Sequence, residues 1–211
     1  MPNSLPLFPL SLVVFPGEEL RLHIFEPRYR QLIQECIDEG ITFGIPPVIN
    51  RKVSKVATEV ELLRMDKLYP SGEMDITTKG VRRVRIHKFH QVAEPKLYPG
   101  GEIDYMINLD ETDTGLQAVI FDQLEQLHDA LGIQRKVVNS RAEISAFKIG
   151  HQVGLTLQQE HELLKIDSEL DRLAFLQEHL ERIIPIVQET ERLKARAKLN
   201  GHYKNVLPPK Y

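Results

Sequence analysis

Eight histidines, at positions 23, 87, 90, 128, 151, 161, 179 and 202, and one cysteine, Cys36, are the side chains here best suited to hold a metal or to pair a nucleophile with a base. Their spacing argues against both. His161-Glu162 opens the H-E-x-x-H word of zinc hydrolases, but the second histidine would fall on Lys165. His87 and His90 stand three apart in a stretch that reads as strand, where odd spacing turns them to opposite faces. A lone thiol forms neither an internal disulfide nor a thiolate cluster, and Cys36 falls in a predicted helix, Tyr29–Asp38, as a small buried apolar residue. The sequence contains no G-x-S-x-G elbow, no G-x-x-x-x-G-K-[ST] loop to cradle phosphates and no G-x-G-x-x-G after a strand. We therefore expect no catalytic residue, no cofactor and no metal.

Two constellations remain. The run Lys79-Gly80-Val81-Arg82-Arg83-Val84-Arg85-Ile86-His87-Lys88 carries five Lys or Arg and no acid. On a strand, Arg83, Arg85 and His87 share one face, a possible stripe for an anion or a nucleic acid. The simpler reading is a polar strand face whose arginines pair across the sheet with Glu59, Glu61 or Asp75. No aromatic platform accompanies the run, so nucleic acid is not expected. The second constellation is Phe15, Phe25 and Tyr29 around a helix start that bears Glu26, Arg28 and Arg30. Aromatics with arginine are what peptide-binding hot spots use, and Phe15, Phe25, Arg28 and Tyr29 are the candidate polypeptide contacts. The same residues also suit packing between a barrel and a helix.

The elements that would position these residues divide the chain in two. Leu10–Phe15 and Glu19–Phe25 read as strands joined by the turn pair Pro16-Gly17. Pro27 at a first helical position and Gly40 at the end bracket a helix with Tyr29, Leu32, Ile33, Cys36 and Ile37 on one stripe. Val56–Leu68 alternates as a strand, Tyr69-Pro70-Ser71-Gly72 turns it into Glu73–Thr78, Gly80 separates that from Val81–Val92, and Ile103–Leu109 is a further weak strand. From Thr114 the period becomes helical. A helix spans Thr114–Leu131, capping boxes start others at Ser140 (with Glu143) and Thr156 (with Gln159), and a last one runs from Ser168 until Pro185 kinks or splits it near Arg182. The expected organisation is a β-rich domain at 1–112, a helical domain at 113–200 and a flexible tail at 201–211.

Composition sets the outer bounds. With 42% hydrophobic and 27% charged residues, 27 Lys and Arg against 30 Asp and Glu, and a net charge of -3, nothing draws the chain generally to nucleic acid or an anionic membrane. The apolar stretch Leu5–Phe15 lacks a basic leader and is broken by Pro6, Pro9 and Pro16, and no apolar run approaches the ~20 residues that span a bilayer. A soluble cytoplasmic protein is expected. Six acids without a base at 109–134 and a net +4 over 189–211 both suit solvated helix ends.

The words LPLFPL, VVFPGEELRLHIFEPRYRQLI and FG between Leu5 and Gly44 resemble the amino-terminal domain of Lon-type ATP-dependent proteases, and more closely the free-standing Lon-domain proteins that carry no motor. The strand TKGVRRVRI resembles the family's Gly-x-x-Arg strand, and Gly154–Lys198 its helix pair. The resemblance implies an α+β fold, a PUA-like β-barrel or pseudo-barrel with one inserted helix followed by a helical bundle. It implies a recognition module for unfolded or tagged polypeptides, with an adaptor role beside a separate ATP-dependent protease. In full Lon proteases the motor and the Ser–Lys proteolytic domain follow the helices, whereas this sequence ends soon after Asn200, so neither activity is expected. Pro185 departs from a helix running on into a motor, and the family's binding residues lie in no sharp motif that could be transferred.

Overall fold

Alternating β-branched and polar residues through the first half make strands, and their pairing makes one antiparallel sheet. The computed structural model describes residues 3–93, 95–134 and 137–202. In chain order it holds β1 (Asn3–Pro6), β2 (Glu19–Ile24), α1 (Pro27–Glu39), β3 (Phe43–Ile45), β4 (Val48–Ile49), β5 (Lys52–Val53), β6 (Val56–Leu68), β7 (Met74–His90) and β8 (Gly100–Tyr105). Helices α2 (Thr114–Leu131), α3 (Ala146–Ile149), α4 (Leu157–Lys165) and α5 (Glu169–His202) follow, with 3₁₀ turns at Arg141–Glu143 and Gly150–Gln152. The sheet order is β1-β8-β7-β6-β3, with β2 also on β7. Just past β1, Leu7 bridges Gly44 of β3, so the two ends of the sheet meet and close a pseudo-barrel. Leu5, Leu7, Ala57, Val84, Ile86 and Ile103 form one buried cluster of this barrel. The hairpin β4–β5 stands apart as a two-stranded ribbon.

The strongest local signals are realised directly. Val56–Leu68 is a strand, and Thr114–Leu131 is a helix capped by the Asp113 carboxylate, which accepts from the N–H groups of Gly115 (2.7 Å) and Leu116 (3.0 Å). Thr156 and Gln159 form the reciprocal capping box of α4.

Other expectations need correcting. Leu10–Phe15 makes no ladder strand. It bends at Ser11-Leu12 and passes between two cores, with Val13 and Phe15 entering the helical cluster and Val14 the cluster around α1. Gly80 does not break a strand: β7 runs through it because the turn at Phe15–Glu18 crosses there. A Cβ at Gly80 would lie 2.2 Å from the Phe15 carbonyl oxygen, and Gly80 exchanges backbone hydrogen bonds with Gly17 and Glu18. The weak strand expected at Ile103–Leu109 begins earlier, at Gly100, and ends at Tyr105. No long helix starts at Ser140: a 3₁₀ turn gives way to the four-residue α3, whose first N–H, on Ala146, donates to the buried Glu169 carboxylate (2.7 Å). Helix α5 is not split at Pro185, which faces solvent, and it continues to His202. It therefore covers the first two residues of the segment read as a tail, and 203–211 lie outside the described residues.

The two halves meet along a seam of buried polar anchors. Phe15 is fully buried, stacks on Phe147 (5.2 Å between ring centres) and packs so closely on Gly150 that a Cβ there would lie 2.7 Å from its ring. Arg83, 2% exposed, crosses from β7 to donate to the carbonyls of Leu164 (3.0 Å), Ile166 (2.7 Å) and Ile107, and its guanidinium lies 3.1 Å from the Asp167 carboxylate. Burial and the neighbouring Arg172 charge lower its pKa, which three carbonyls and a carboxylate compensate. His151 sits between Glu160 (2.7 Å) and Glu18 (3.0 Å), and Ser54 meets His161 at 2.6 Å.

Candidate polypeptide-binding surface

Helix α1 is set by Pro27 in its first turn and a left-handed Gly40 at its end, and it buries Tyr29, Leu32, Ile33 and Cys36. Tyr29 is 4% exposed and stacks on Phe8 with ring centres 3.8 Å apart, and burial raises its phenol pKa. Burial likewise pushes the Cys36 thiol up to about 12, so it stays protonated and inert. The Arg28 guanidinium lies over the Tyr29 ring (4.5 Å) and pairs with Glu26 (2.8 Å). Phe25 just precedes the helix with 60% of its surface open. Beside it His23 pairs with Asp75 (2.6 Å), and Arg30 donates to the Ser71 carbonyl (2.9 Å), fastening α1 to the β6–β7 turn.

Of the four residues read as polypeptide contacts, Phe25 and Arg28 therefore reach the surface. Phe15 and Tyr29 do not: both are core residues, one holding the seam and the other carrying Arg28 on its ring. The anion stripe also comes apart. Arg83 is buried and spent on carbonyls, Arg85 is exposed, and His87 pairs with Asp104 (2.6 Å). Arg82, on the opposite face, pairs with Glu59 at 2.5 Å as the cross-strand reading expects.

What the sequence did not reveal is a groove of about 320 Å³ next to Arg28, walled by Pro9, Tyr29, Val53, Phe89, Gln91 and Pro99. Val53 is 37% and Phe89 38% exposed, so apolar surface faces solvent here without a partner. Val53 belongs to the β4–β5 hairpin, whose turn residues Asn50 and Arg51 both have positive φ (51° and 63°), the geometry of a tight two-residue hairpin loop. A larger cavity of about 690 Å³ lies at the seam, lined by Gly17, Phe147 and polar side chains. Three of those polar groups are engaged internally: His151 by two glutamates, Lys148 by Glu143 (2.8 Å), and Gln152 by the Lys148 carbonyl (3.3 Å). The smaller groove is the better candidate for a ligand. Among the described residues no three His, Cys, Asp or Glu side chains are placed to hold a metal ion, and no helix is long and apolar enough to cross a membrane.

An antiparallel pseudo-barrel with one inserted helix, followed by a helical half, is the architecture of Lon amino-terminal domains. A Lon N-terminal domain protein from Xanthomonas campestris superposes with a TM-score of 0.62 at 25% identity, covering 82% of this chain and 96% of that one. The N-terminal domain of a Mycobacterium avium complex Lon protease shares the fold with a TM-score of 0.62 at 17% identity, covering 85% of this chain and 99% of that one. The family model of the ATP-dependent protease La (Lon) substrate-binding domain matches residues 4–182. The chain belongs to that family.

Proposed function

We propose that this protein is a polypeptide-recognition module with no catalysis of its own, holding unfolded or tagged chains as an adaptor in protein quality control, beside a separate ATP-dependent protease in the cytoplasm. The observation that carries this reading is the family match across residues 4–182, which is to a substrate-binding domain. The surface supports it: Phe25 and the Arg28–Val53–Phe89 groove offer apolar area that the chain leaves open, worth roughly 25 cal/mol per Å² on burial before the costs of association. Binding of an anion or nucleic acid along 79–90 is the weaker reading, because Arg83 is committed to the seam and His87 to Asp104.

The test is titration of a reduced, permanently unfolded protein against the full chain, read by fluorescence anisotropy. Saturable binding at micromolar concentrations is expected, weakened by Phe25→Ser and Phe89→Ser. No complex below high micromolar concentrations would reject the reading, and turnover of the unfolded protein by the purified chain would reject its non-catalytic part.

A further inference from the structure

Strand β6 has an outer edge that the fold leaves incomplete. The direction of its main chain follows from β7, where Gly80 donates to the Glu18 carbonyl and accepts from Gly17, both on the β2 side. By the alternation of an antiparallel ladder, Thr78, Ile76 and Met74 also turn their main-chain groups toward β2, where they meet Leu20, Leu22 and Ile24. Their partners on β6, Leu62, Met65 and Leu68, therefore point their own N–H and C=O groups away from β7. Earlier along the same edge Val60 is met by Phe43, but β3 goes no further. Among the described residues no strand pairs with 61–68 on that outer side, and no other main-chain hydrogen bond reaches it. The two bulges of β6 do not spoil the edge. They set Leu63 and Asp66 aside, so the outward groups keep step with Thr78, Ile76 and Met74 at the two-residue spacing of a regular strand. Paired residues share a face, so Leu62, Met65 and Leu68 carry the apolar face of Ile76 and Met74 out to the rim. Leu62 packs against the cluster around α1, whereas Met65 and Leu68 are 43% and 57% exposed.

We infer that the open edge of β6 takes an extended polypeptide segment as an added strand, with apolar side chains at alternate positions beside Leu62, Met65 and Leu68. This rests on the polypeptide-recognition reading and narrows its substrate class to proline-free stretches of about five residues with alternating apolar side chains. The selection is made by the main chain. A row of N–H and C=O groups at strand spacing is answered by another extended backbone, and the apolar rim then favours alternation in its side chains. A second copy of this chain fits less well. The antiparallel pairing that aligns all three outward residues, centred on Met65, sets Leu62 against Leu68 but places Arg64 of each chain opposite Lys67 of the other. Like charges directly opposite oppose such pairing, a common guard against edge-to-edge association.

The test uses the full chain and a fluorescent peptide of alternating threonine and valine, beside the same peptide N-methylated at its valines. Methylation removes main-chain donors and keeps every side chain, so it should weaken binding by at least about tenfold. Met65→Lys with Leu68→Lys should weaken the plain peptide by a similar factor while moving the thermal midpoint little, since both side chains are largely exposed. In the unsubstituted protein, the peptide should slow amide hydrogen exchange at Leu62, Met65 and Leu68, a readout that does not depend on any variant folding. Equal affinity for the two peptides, or protection that falls elsewhere, overturns the inference and leaves the broader reading standing. Binding of a reduced unfolded protein without binding of the plain peptide does the same. Failure of both to bind overturns both readings. A dimer of the free chain in sedimentation, dissolved by the double substitution, overturns the inference in favour of a second copy.

Discussion

Replacing His151 by glutamine should weaken the seam in a pH-dependent way, and the structure fixes both sign and size. The ring lies between Glu18 and Glu160. Burial works against its charge, but hydrogen bonds and attraction from the two glutamates outweigh it and raise the pKa from 6.5 to about 9. A pKa raised in the folded state means that the folded protein holds the proton more tightly than the unfolded chain. Its stabilisation is then fully present below pH 6.5 and drains away as pH rises through about 9. In a dry site such a shift would be worth about 3 kcal/mol. With 34% of the side chain open to solvent, screening reduces the expected value to about 1 kcal/mol. That corresponds to about 2–4 °C in thermal midpoint for a chain of this size. The assay is thermal unfolding of both proteins at pH 6, 7.5 and 9.5, taking the difference between them at each pH so that other titrating groups cancel. Glutamine keeps a donor and an acceptor but no charge, so the gap should be widest at pH 6 and close by pH 9.5. A gap that is the same at both ends of the range would show that His151 contributes shape alone and refute the clamp.

Arg83→Met should destabilise the fold by about 3–5 kcal/mol in urea titrations, because it strips the donors from three carbonyls and leaves Asp167 unmatched at the seam. A loss under about 1 kcal/mol would mean that the seam does not depend on it. Gly80→Ala should cost about 1–3 kcal/mol, since its Cβ would meet the Phe15 carbonyl at 2.2 Å, and an unchanged midpoint would contradict the crossing described here. Phe25→Ser should shift stability by less than about 0.5 kcal/mol, given its 60% exposure, yet lower affinity for an unfolded polypeptide. Loss of stability without loss of binding would return Phe25 to a packing role.

The parts of the fold that were legible in the sequence are those whose signal is local. A capping box needs only Thr156 and Gln159, and α2 needs only its leucine spacing and an aspartate ahead of it. The parts that were not legible depend on what crosses overhead. Gly80 looks like a strand break until the Phe15–Glu18 turn is laid on it, after which it is the residue that lets β7 continue. Arg83 and Arg85 have the same strand parity, and only the helices over one end of β7 make the first a buried anchor and leave the second in water. Phe15 and Phe25 are both aromatic and lie near turns, yet one is at 0% and the other at 60% exposure, a contrast no local pattern encodes. The groove is the extreme case, since Pro9, Arg28, Val53, Phe89 and Pro99 come from five separate segments.

That dispersal has a mechanical consequence. All the groove's walls lie before residue 100, so no helical residue of the second half touches a bound chain there. The walls nevertheless hang from the closed barrel: Phe89 on β7, and Pro99 through its carbonyl, which accepts from Leu7 (2.8 Å) beside the closing bridge to Gly44. Val53 is held one residue from Ser54, whose hydroxyl meets His161 of α4. One route by which the helical half can act on the groove is the short Ser54–His161 contact. Burial and the nearby Lys165 lower the pKa of His161, so the folded protein resists its protonation and the contact changes only as pH falls below the ordinary histidine range. Ser54→Ala should cut that contact with the barrel left closed. If affinity for an unfolded polypeptide falls below pH 6.5 in the unsubstituted protein and stays level in Ser54→Ala, the helices tune the groove through this contact; an identical pH profile in the two proteins would show that the contact plays no part in it.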